Sequence, residues 1–164
     1  GYGTSTGTPT TSRVYEAAET VLQYLIHIQH VPLDRIIIHG RSAGGGPAFY
    51  LAEKYDVAGV IAESTFVSAF RVLIPIPVFP LDTFRNVSRI DNINCPVLVI
   101  HGTQDEMIPF WHGEALFEKA QHPKFFCQLD GASHNKIPLE CQDAYWGAIH
   151  SFSQFIRYQP PSDQ

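Results

Sequence analysis

The sequence is poor in cysteine and in positive charge, and both shortages disfavour whole classes of function. Its three cysteines, Cys95, Cys127 and Cys141, are odd in number and widely spaced, which argues against a disulfide framework and indicates reduced thiols in a cytosolic type of compartment. None has the CxxC spacing typical of structural zinc. Lysine and arginine number 11 against 16 acidic residues, for a net charge of -5. The basic residues are scattered, so we expect no nucleic acid partner.

Long apolar runs and the features of a signal peptide are also missing. No run approaches the ~20 apolar residues that a membrane-spanning helix needs. The first residues, rich in Gly, Thr and Ser, lack the basic start and apolar core of a signal peptide. Because the chain does not begin with Met, we expect that residue 1 is not the natural start. A length of 164 residues, 45% of them hydrophobic and 16% charged, predicts one globular domain over 1–164.

Segments with helical periodicity alternate with short apolar runs, the first of which is β-branched. We predict helices at 12–30, 43–55, 111–120 and 139–158, and strands at 35–39, 57–62, 96–101 and 124–129. This alternation predicts an α/β fold with a mostly parallel sheet flanked by helices. Residues 65–94 break the pattern because prolines interrupt an apolar run there, and we predict a cap-like insertion.

Ser42 lies in Gly40-Arg41-Ser42-Ala43-Gly44, directly after a predicted strand and at the start of a predicted helix. In that context Gly-x-Ser-x-Gly indicates a strained strand-to-helix turn that exposes the serine hydroxyl. Small neighbours are needed because the chain folds back on itself. We predict Ser42 as a nucleophile and the backbone N–H of Ala43 as an oxyanion donor. The alternative is a structural glycine-rich turn that merely contains a serine.

A nucleophilic serine needs a base, and eight histidines compete for that role. His134 lies in the loop after the last predicted strand, and its side chain titrates near ~6.5, so it can accept and return a proton at neutral pH. We predict His134 as the base; the alternative is an ordinary surface histidine. The other seven are predicted to be structural or solvated: His27 and His30 on a helix edge rather than in a metal site, His39 and His101 beneath the active-site loops, and His112, His122 and His150 on helices or loops.

The third member of such a site is a carboxylate that orients the base and stabilises its charged form. Asp105 follows the third predicted strand in a loop, and it completes the chain order Ser, Asp, His. Glu63 at the end of the preceding strand is the alternative acid, and Glu106 is a second choice because of its direction and longer side chain. All three predicted site residues follow the carboxyl ends of strands, where open α/β sheets bind their ligands.

These residues resemble a known family. The stretches GRSAGG at 40–45, PVLVIHGTQD at 96–105 and GASHN at 131–135 are similar to the α/β-hydrolase-domain proteins of the seventeenth group, serine hydrolases that remove palmitate from cysteines of membrane-bound proteins. The resemblance implies an α/β-hydrolase fold, a catalytic triad of Ser42, Asp105 and His134, and no cofactor or metal. It also implies a protein of the cytoplasm or of the cytosolic face of membranes.

The sequence departs from this family at its beginning. The resemblance implies further strands, and a second oxyanion N–H donor, upstream of Gly1. One lost donor typically costs about 100- to 1000-fold in rate, and the strand around 36–38 would be an open edge without its neighbour. We therefore expect an N-terminally truncated domain that is weak or inactive by itself. The family's N-terminal cysteine cluster is not in this sequence, so membrane association would come only from an upstream region.

The expected activity is hydrolysis of acyl thioesters or esters through an acyl-enzyme on Ser42. By resemblance the substrate is a palmitoylated protein. The alternatives are a general carboxylesterase or a peptidase of the same fold acting on a small-molecule acyl ester or peptide, and a truncated binding module without turnover. Apolar residues of the 65–94 segment form either the wall of an acyl-chain groove or a cap that packs on the body: Val72, Leu73, Ile74, Ile76, Val78, Phe79 and Leu81.

Overall fold

A parallel β-sheet forms the centre of the protein in the computed structural model, which describes residues 3–69 and 84–158. Within these residues the sheet has four strands: β1 (Ile37–Arg41), β2 (Gly59–Glu63), β3 (Val97–Gly102) and β4 (Lys124–Leu129). They lie in the order β1-β2-β3-β4, and every neighbouring pair is parallel. The predicted α/β fold class is confirmed.

Helices precede, connect and follow the strands. The described helices are α1 (Thr11–His27), α2 (Gly45–Lys54), α3 (Asn86–Arg89), α4 (Trp111–Lys119), α5 (Ile137–Glu140) and α6 (Gln142–Arg157). Helix α2 contacts β1 and β2, and α4 contacts β3 and β4, while α1 packs on α2. Parallel strands in sequential order with right-handed crossovers place their connecting helices on one face, which leaves the other face to α6.

The two central strands are buried on both faces. From β2 and β3, Val60, Ala62, Val97 and Val99 join the core beneath α2 and α4, while Ile61, Leu98 and Ile100 join the core that includes Phe152 of α6. Alternate residues therefore point to opposite cores, and both cores are apolar. This explains why these strands appear in the sequence as continuous apolar runs rather than as alternating patterns.

Because the strands are parallel, their carboxyl ends lie at the same edge of the sheet. Arg41 of β1 is in register with Glu63 of β2, and Glu63 with Ile100 of β3. Gly102 of β3 is in register with Leu129 of β4. The loops that follow these strands carry Ser42, Asp105 and His134, so the topology collects all three predicted site residues along one edge.

Three segments differ from their predictions. The first strand covers 37–41 rather than 35–39, because Leu33–Arg35 form a 3₁₀ turn after Pro32 and the pairing with β2 continues to Arg41. The predicted helix 43–55 begins only at Gly45, since Ser42–Gly44 form a 3₁₀ turn. The last predicted helix is two helices, α5 and α6, separated at Cys141, whose φ of -132° and ψ of 45° are not helical.

The predicted insertion at 65–94 is described only at its two ends. Its seven candidate groove residues lie within 70–83, outside the described residues. The described ends pack on the body: Phe66 and Val67 are buried, and the Asn86 side-chain amide donates to the Phe66 carbonyl at 2.9 Å.

Cys95, Cys127 and Cys141 are free thiols, each partly buried. No helix within residues 3–69 and 84–158 is both long and apolar enough to cross a membrane.

Candidate active site

Ser42 occupies the tight turn between β1 and α2. Its φ of 52° lies in the left-handed region, which costs a non-glycine residue about 1–2 kcal/mol and persists only where the surroundings impose it. Gly40 shows how close the chain passes to itself, because a Cβ there would lie 2.5 Å from the Gly44 carbonyl oxygen and 2.6 Å from the Ala48 Cβ. The strained turn expected of Gly-x-Ser-x-Gly is therefore present.

Residues 40–45 form the elbow of the chain, and Thr65, in the loop after β2, fixes it. Its hydroxyl donates to the Ser42 carbonyl at 2.7 Å. A Cβ at Gly45 would lie 2.1 Å from the same hydroxyl oxygen, so only glycine fits beside it. Ser42 is partly buried and Ala43 is exposed, and both precede the first turn of α2. The predicted oxyanion donor, the Ala43 N–H, thus belongs to a turn that solvent reaches.

Asp105 and His134 meet across two loops. The Asp105 Oδ2 and the His134 Nδ1 are 2.8 Å apart and hydrogen-bonded, and the residues are only 7% and 3% exposed. The other carboxylate oxygen accepts backbone N–H groups from Met107 at 3.0 Å and Ile108 at 2.7 Å. A carboxylate fixed in this way holds the proton of a neutral imidazole on Nδ1 and leaves Nε2 as the acceptor.

His101 lies beneath this pair and supports the loop that carries Asp105. It is fully buried, its Nε2 is 2.9 Å from the Ile108 carbonyl oxygen, and the same nitrogen is 3.5 Å from the Asp105 Oδ2. Burial lowers the pKa of His101, so its ring is neutral and donates to the loop. The prediction that His101 packs beneath the active-site loops agrees with this placement.

His39 lies elsewhere than expected. Its side chain is 38% exposed rather than packed under the loops, and among the described residues β1 pairs with β2 alone. The His39 Nε2 is hydrogen-bonded to the Glu63 Oε2 at 2.8 Å.

His112, predicted to be an ordinary helix residue, is fully buried, and its Nδ1 accepts from the Val67 N–H at 3.2 Å.

Glu63, the alternative acid, is bound to other partners than His134. The Tyr145 hydroxyl donates to its Oε2 at 2.9 Å, beside His39, and the Arg41 Nε is 3.1 Å from its Oε1. Burial by itself raises the pKa of this carboxyl, but the hydrogen bonds from His39 and Tyr145 and the nearby charges outweigh burial and hold the pKa below its usual value. Glu63 is thus an ionised carboxylate enclosed by three side chains.

Two charged side chains hold the backbone of His134. The Glu106 carboxylate accepts the His134 N–H at 3.1 Å, and the Arg41 Nη2 donates to the His134 carbonyl oxygen at 2.7 Å. The same Nη2 donates to the Asn135 Oδ1 at 3.1 Å. Since Arg41 directly precedes Ser42, the elbow and the histidine loop are in direct contact. Glu106 acts here on the peptide of His134 rather than on its ring.

A cavity of about 370 Å³ adjoins the elbow on the side of Arg41. Its lining comprises His39, Arg41, Glu63, Asn135, Pro138 and Tyr145. Sequence reasoning did not single out Arg41 or Tyr145. Arg41 meets Glu63 through the register of β1 with β2, which the sequence does not show, and nothing in the sequence points α6 and its Tyr145 at that carboxylate. Within residues 3–69 and 84–158 no group of three His, Cys, Asp or Glu side chains is arranged to hold a metal ion.

Comparison with known proteins places this geometry in a family. The model of the dienelactone hydrolase family matches residues 3–157. The chain belongs to this family. It is also 40% identical over 158 residues to human alpha/beta hydrolase domain-containing protein 17B, an alignment that covers 95% of this chain and 53% of that protein. The chain therefore spans about half the length of the curated relatives it matches.

Solved structures of esterases share the fold of this dienelactone hydrolase family member. The esterase domain of a Rhodothermus marinus protein aligns with a TM-score of 0.69 at 19% identity, covering 88% of this chain and 68% of that one. The acetyl xylan esterase from Paenibacillus sp. R4 aligns with a TM-score of 0.73 at 18% identity, covering 88% and 52%. At these identities the likeness concerns the fold, which is that of α/β-hydrolases.

Proposed function

We propose that the protein is a serine hydrolase that cleaves acyl thioesters or esters, with Ser42 as nucleophile, His134 as base and Asp105 as the group that orients the base. The observation that carries the proposal is the 2.8 Å bond between Asp105 and His134, in a loop tied to the elbow of Ser42. Membership of the dienelactone hydrolase family supports the reaction class.

In the proposed first step, the His134 Nε2 takes the hydroxyl proton of Ser42 while the serine oxygen attacks the acyl carbonyl carbon. The Ala43 N–H stabilises the oxyanion that forms. The carbon–sulfur or carbon–oxygen bond then breaks, and His134 gives its proton to the departing thiolate or alkoxide. In the second step His134 deprotonates a water molecule, which attacks the acyl carbonyl carbon; the bond to the serine oxygen then breaks, and His134 returns the proton to that oxygen, which releases the carboxylic acid and restores the Ser42 hydroxyl. Asp105 stabilises the imidazolium in both steps without taking the proton.

For the substrate we propose long-chain acyl groups on protein cysteines. Support comes from the resemblance of three motif stretches to the seventeenth group of α/β-hydrolase-domain proteins and from the 40% identity to human protein 17B. Acylated proteins are thus the proposed partners.

The nucleophile is tested by labelling the full-length protein with a fluorophosphonate probe, which reacts with activated serines. We expect labelling of the wild type and none of Ser42→Ala, while the matched variant Ser12→Ala, on the exposed start of α1, labels like the wild type. Labelling that persists in Ser42→Ala would overturn the proposal. Wild-type protein that is folded but unreactive would favour the alternative of a binding module without turnover.

The substrate class is tested by competition. Palmitoyl and acetyl thioesters of one peptide are offered separately as competitors of the probe. We expect the palmitoyl thioester to protect Ser42 at the lower concentration. Better protection by the acetyl thioester would reject long-chain acyl proteins and favour a general esterase.

A further inference from the structure

One arginine side chain connects three parts of the active-site edge. Arg41 is the last residue of β1, and its guanidinium uses two nitrogens for three partners. Its Nη2 donates to the His134 carbonyl oxygen at 2.7 Å and to the Asn135 Oδ1 at 3.1 Å, and its Nε lies 3.1 Å from the Glu63 Oε1. The guanidinium thus joins β2, the elbow and the histidine loop.

The anchor of this guanidinium is itself fixed. Glu63 is only 1% exposed and receives hydrogen bonds from His39 and Tyr145 on its second oxygen. Tyr145 belongs to α6, so the carboxylate is held by the helix that packs on this face of the sheet as well as by β1. The contact between Arg41 and Glu63 is an ion pair at a buried carboxylate, and breaking such a pair leaves a buried charge without its partner, which is costly. Arg41 is therefore held in one position although its side chain is 42% exposed.

Both backbone polar groups of His134, its N–H and its carbonyl, are hydrogen-bonded to side chains. Glu106 accepts its N–H at 3.1 Å, and Arg41 donates to its carbonyl oxygen at 2.7 Å. Asp105 fixes one nitrogen of the ring, but a single hydrogen bond leaves the ring able to swing about the Nδ1–Oδ2 direction. The two backbone contacts restrict that swing because they fix the Cα from which the side chain starts.

We infer that Arg41 is a positioning residue for the proposed reaction: it ties the backbone of His134 to the elbow and so fixes the position of the base relative to Ser42. This inference rests on the proposed function, since it concerns the base of that reaction. A lysine cannot replace Arg41, because one ammonium group does not reach both Glu63 and His134 with the fork geometry of a guanidinium.

The test compares Arg41→Ala and Arg41→Lys with the exposed control Arg157→Ala in the full-length protein. A misplacement of about 1 Å costs on the order of 100-fold in rate, so we expect kcat/KM for an acyl thioester to fall by about that factor in both Arg41 variants. KM should stay within about 2-fold of the wild type, since Arg41 acts through His134 and not on the acyl group. Arg157→Ala should match the wild type.

Chemical rescue separates positioning from a general loss of folding. Guanidinium at millimolar concentration, far below denaturing levels, is expected to raise the kcat/KM of Arg41→Ala by about 10-fold, because it occupies the space beside Glu63 that the arginine side chain has left. Neither the wild type, Arg41→Lys nor Ser42→Ala should gain. Equal activity of Arg41→Ala and the wild type would overturn the inference, as would an activity loss that guanidinium leaves unchanged.

A second readout does not depend on turnover. Hydrogen–deuterium exchange of the 131–136 loop should be about 10-fold faster in Arg41→Ala than in Arg157→Ala, because one of the two backbone anchors of His134 is lost. Unchanged exchange there would contradict the inference even in an inactive protein. Loss of Ser42-dependent labelling in the wild type, with exchange that still responds to Arg41, would instead reject the proposed function and keep the contact.

Discussion

Two buried carboxylates, one at the end of β2 and one in the loop after β3, have similar surroundings but different roles. Glu63 is the last residue of β2, and three side chains enclose it. Asp105 lies in the loop beyond β3, and one of its oxygens is fixed by two backbone N–H groups while the other meets His134. Each has a histidine partner, so residue type and burial alone do not distinguish them.

The difference comes from their distance beyond the strand end. A side chain on the strand itself meets the neighbours that the register provides, and for Glu63 these include Arg41. A side chain a few residues beyond the strand meets its own loop, whose backbone N–H groups fix one oxygen and leave the other directed at a different loop. The strand-end carboxylate therefore stabilises the sheet edge, and the loop carboxylate can orient a base.

The largest expected effect is a difference in kcat between variants of the two carboxylates. In the full-length protein, Asp105→Asn should lower kcat of acyl thioester hydrolysis by about 10⁴-fold, since the amide holds the imidazole in the wrong tautomer. Glu63→Gln should lower it by only ~10-fold, through the weaker hold on Arg41. Steady-state kinetics of the two variants provide the measurement. Equal losses would show that the carboxylates share one role.

The next effect concerns stability rather than rate. Tyr145→Phe removes the hydroxyl that donates to the Glu63 Oε2, and hydrogen bonds to charged groups contribute about 1.5–3 kcal/mol. We expect the free energy of unfolding in urea to fall by about that amount. The matched control Tyr158→Phe changes a hydroxyl on a residue that is 77% exposed and should leave stability unchanged. A destabilisation common to both variants would refute the role of the Glu63 contact.

A smaller effect is the pH dependence that Glu63 confers. His39, Tyr145 and Arg41 face this carboxylate and, against the opposing effect of burial, lower its folded-state pKa. The unfolded chain then binds the proton first, so the stabilisation is complete above the unfolded pKa of about 4.3 and is lost as pH falls from there through the folded pKa. Urea unfolding of the wild type and Glu63→Gln should differ most near neutral pH and converge in acid. A stability difference that grows below pH ~4 would contradict this sign.

The smallest effect is expected at Glu106, the exposed carboxylate beside Asp105. Its pKa is lowered by its own backbone N–H and by that of His134, but solvent screens its charge. Glu106→Gln keeps an oxygen that accepts the His134 N–H, so we expect stability within ~0.5 kcal/mol of the wild type and a rate reduced by less than ~5-fold. Thermal melting and initial rates measure both. A loss as large as that of Asp105→Asn would make Glu106 the orienting acid.

Much of the fold could be predicted because it depends on local signals. Short apolar runs marked the four strands, and the glycines around Ser42 marked a tight turn, in which Gly40 and Gly45 leave no room for a larger residue. The break between α5 and α6 at Cys141 could not be predicted, since no proline or glycine marks it. The cavity beside Arg41 could not be predicted either, because its walls come from β1, β2, the histidine loop, α5 and α6 and depend on how these parts pack.

The choice of Asp105 over Glu63 rested on chain order, and the structure supplies the physical account that the sequence lacked. Nothing local to Glu63 shows that Arg41 and Tyr145 occupy it, since their contacts depend on the register of β1 with β2 and on the docking of α6. The catalytic roles of Ser42, Asp105 and His134 stay predictions, for which the variants above provide the tests.

The sequential order of the strands has a consequence for the order in which the active site forms during folding. The register joins Ile37 to Gly59, Val60 to Val97 and Val97 to Lys124, so the sheet can grow by one strand at a time along the chain. The elbow needs only the first pairing and Asp105 the third strand, whereas His134 is placed only after β4 has docked. During refolding, reactivity with the fluorophosphonate probe should therefore return later than the sheet signal in circular dichroism. The delay between the two would report when the last strand docks.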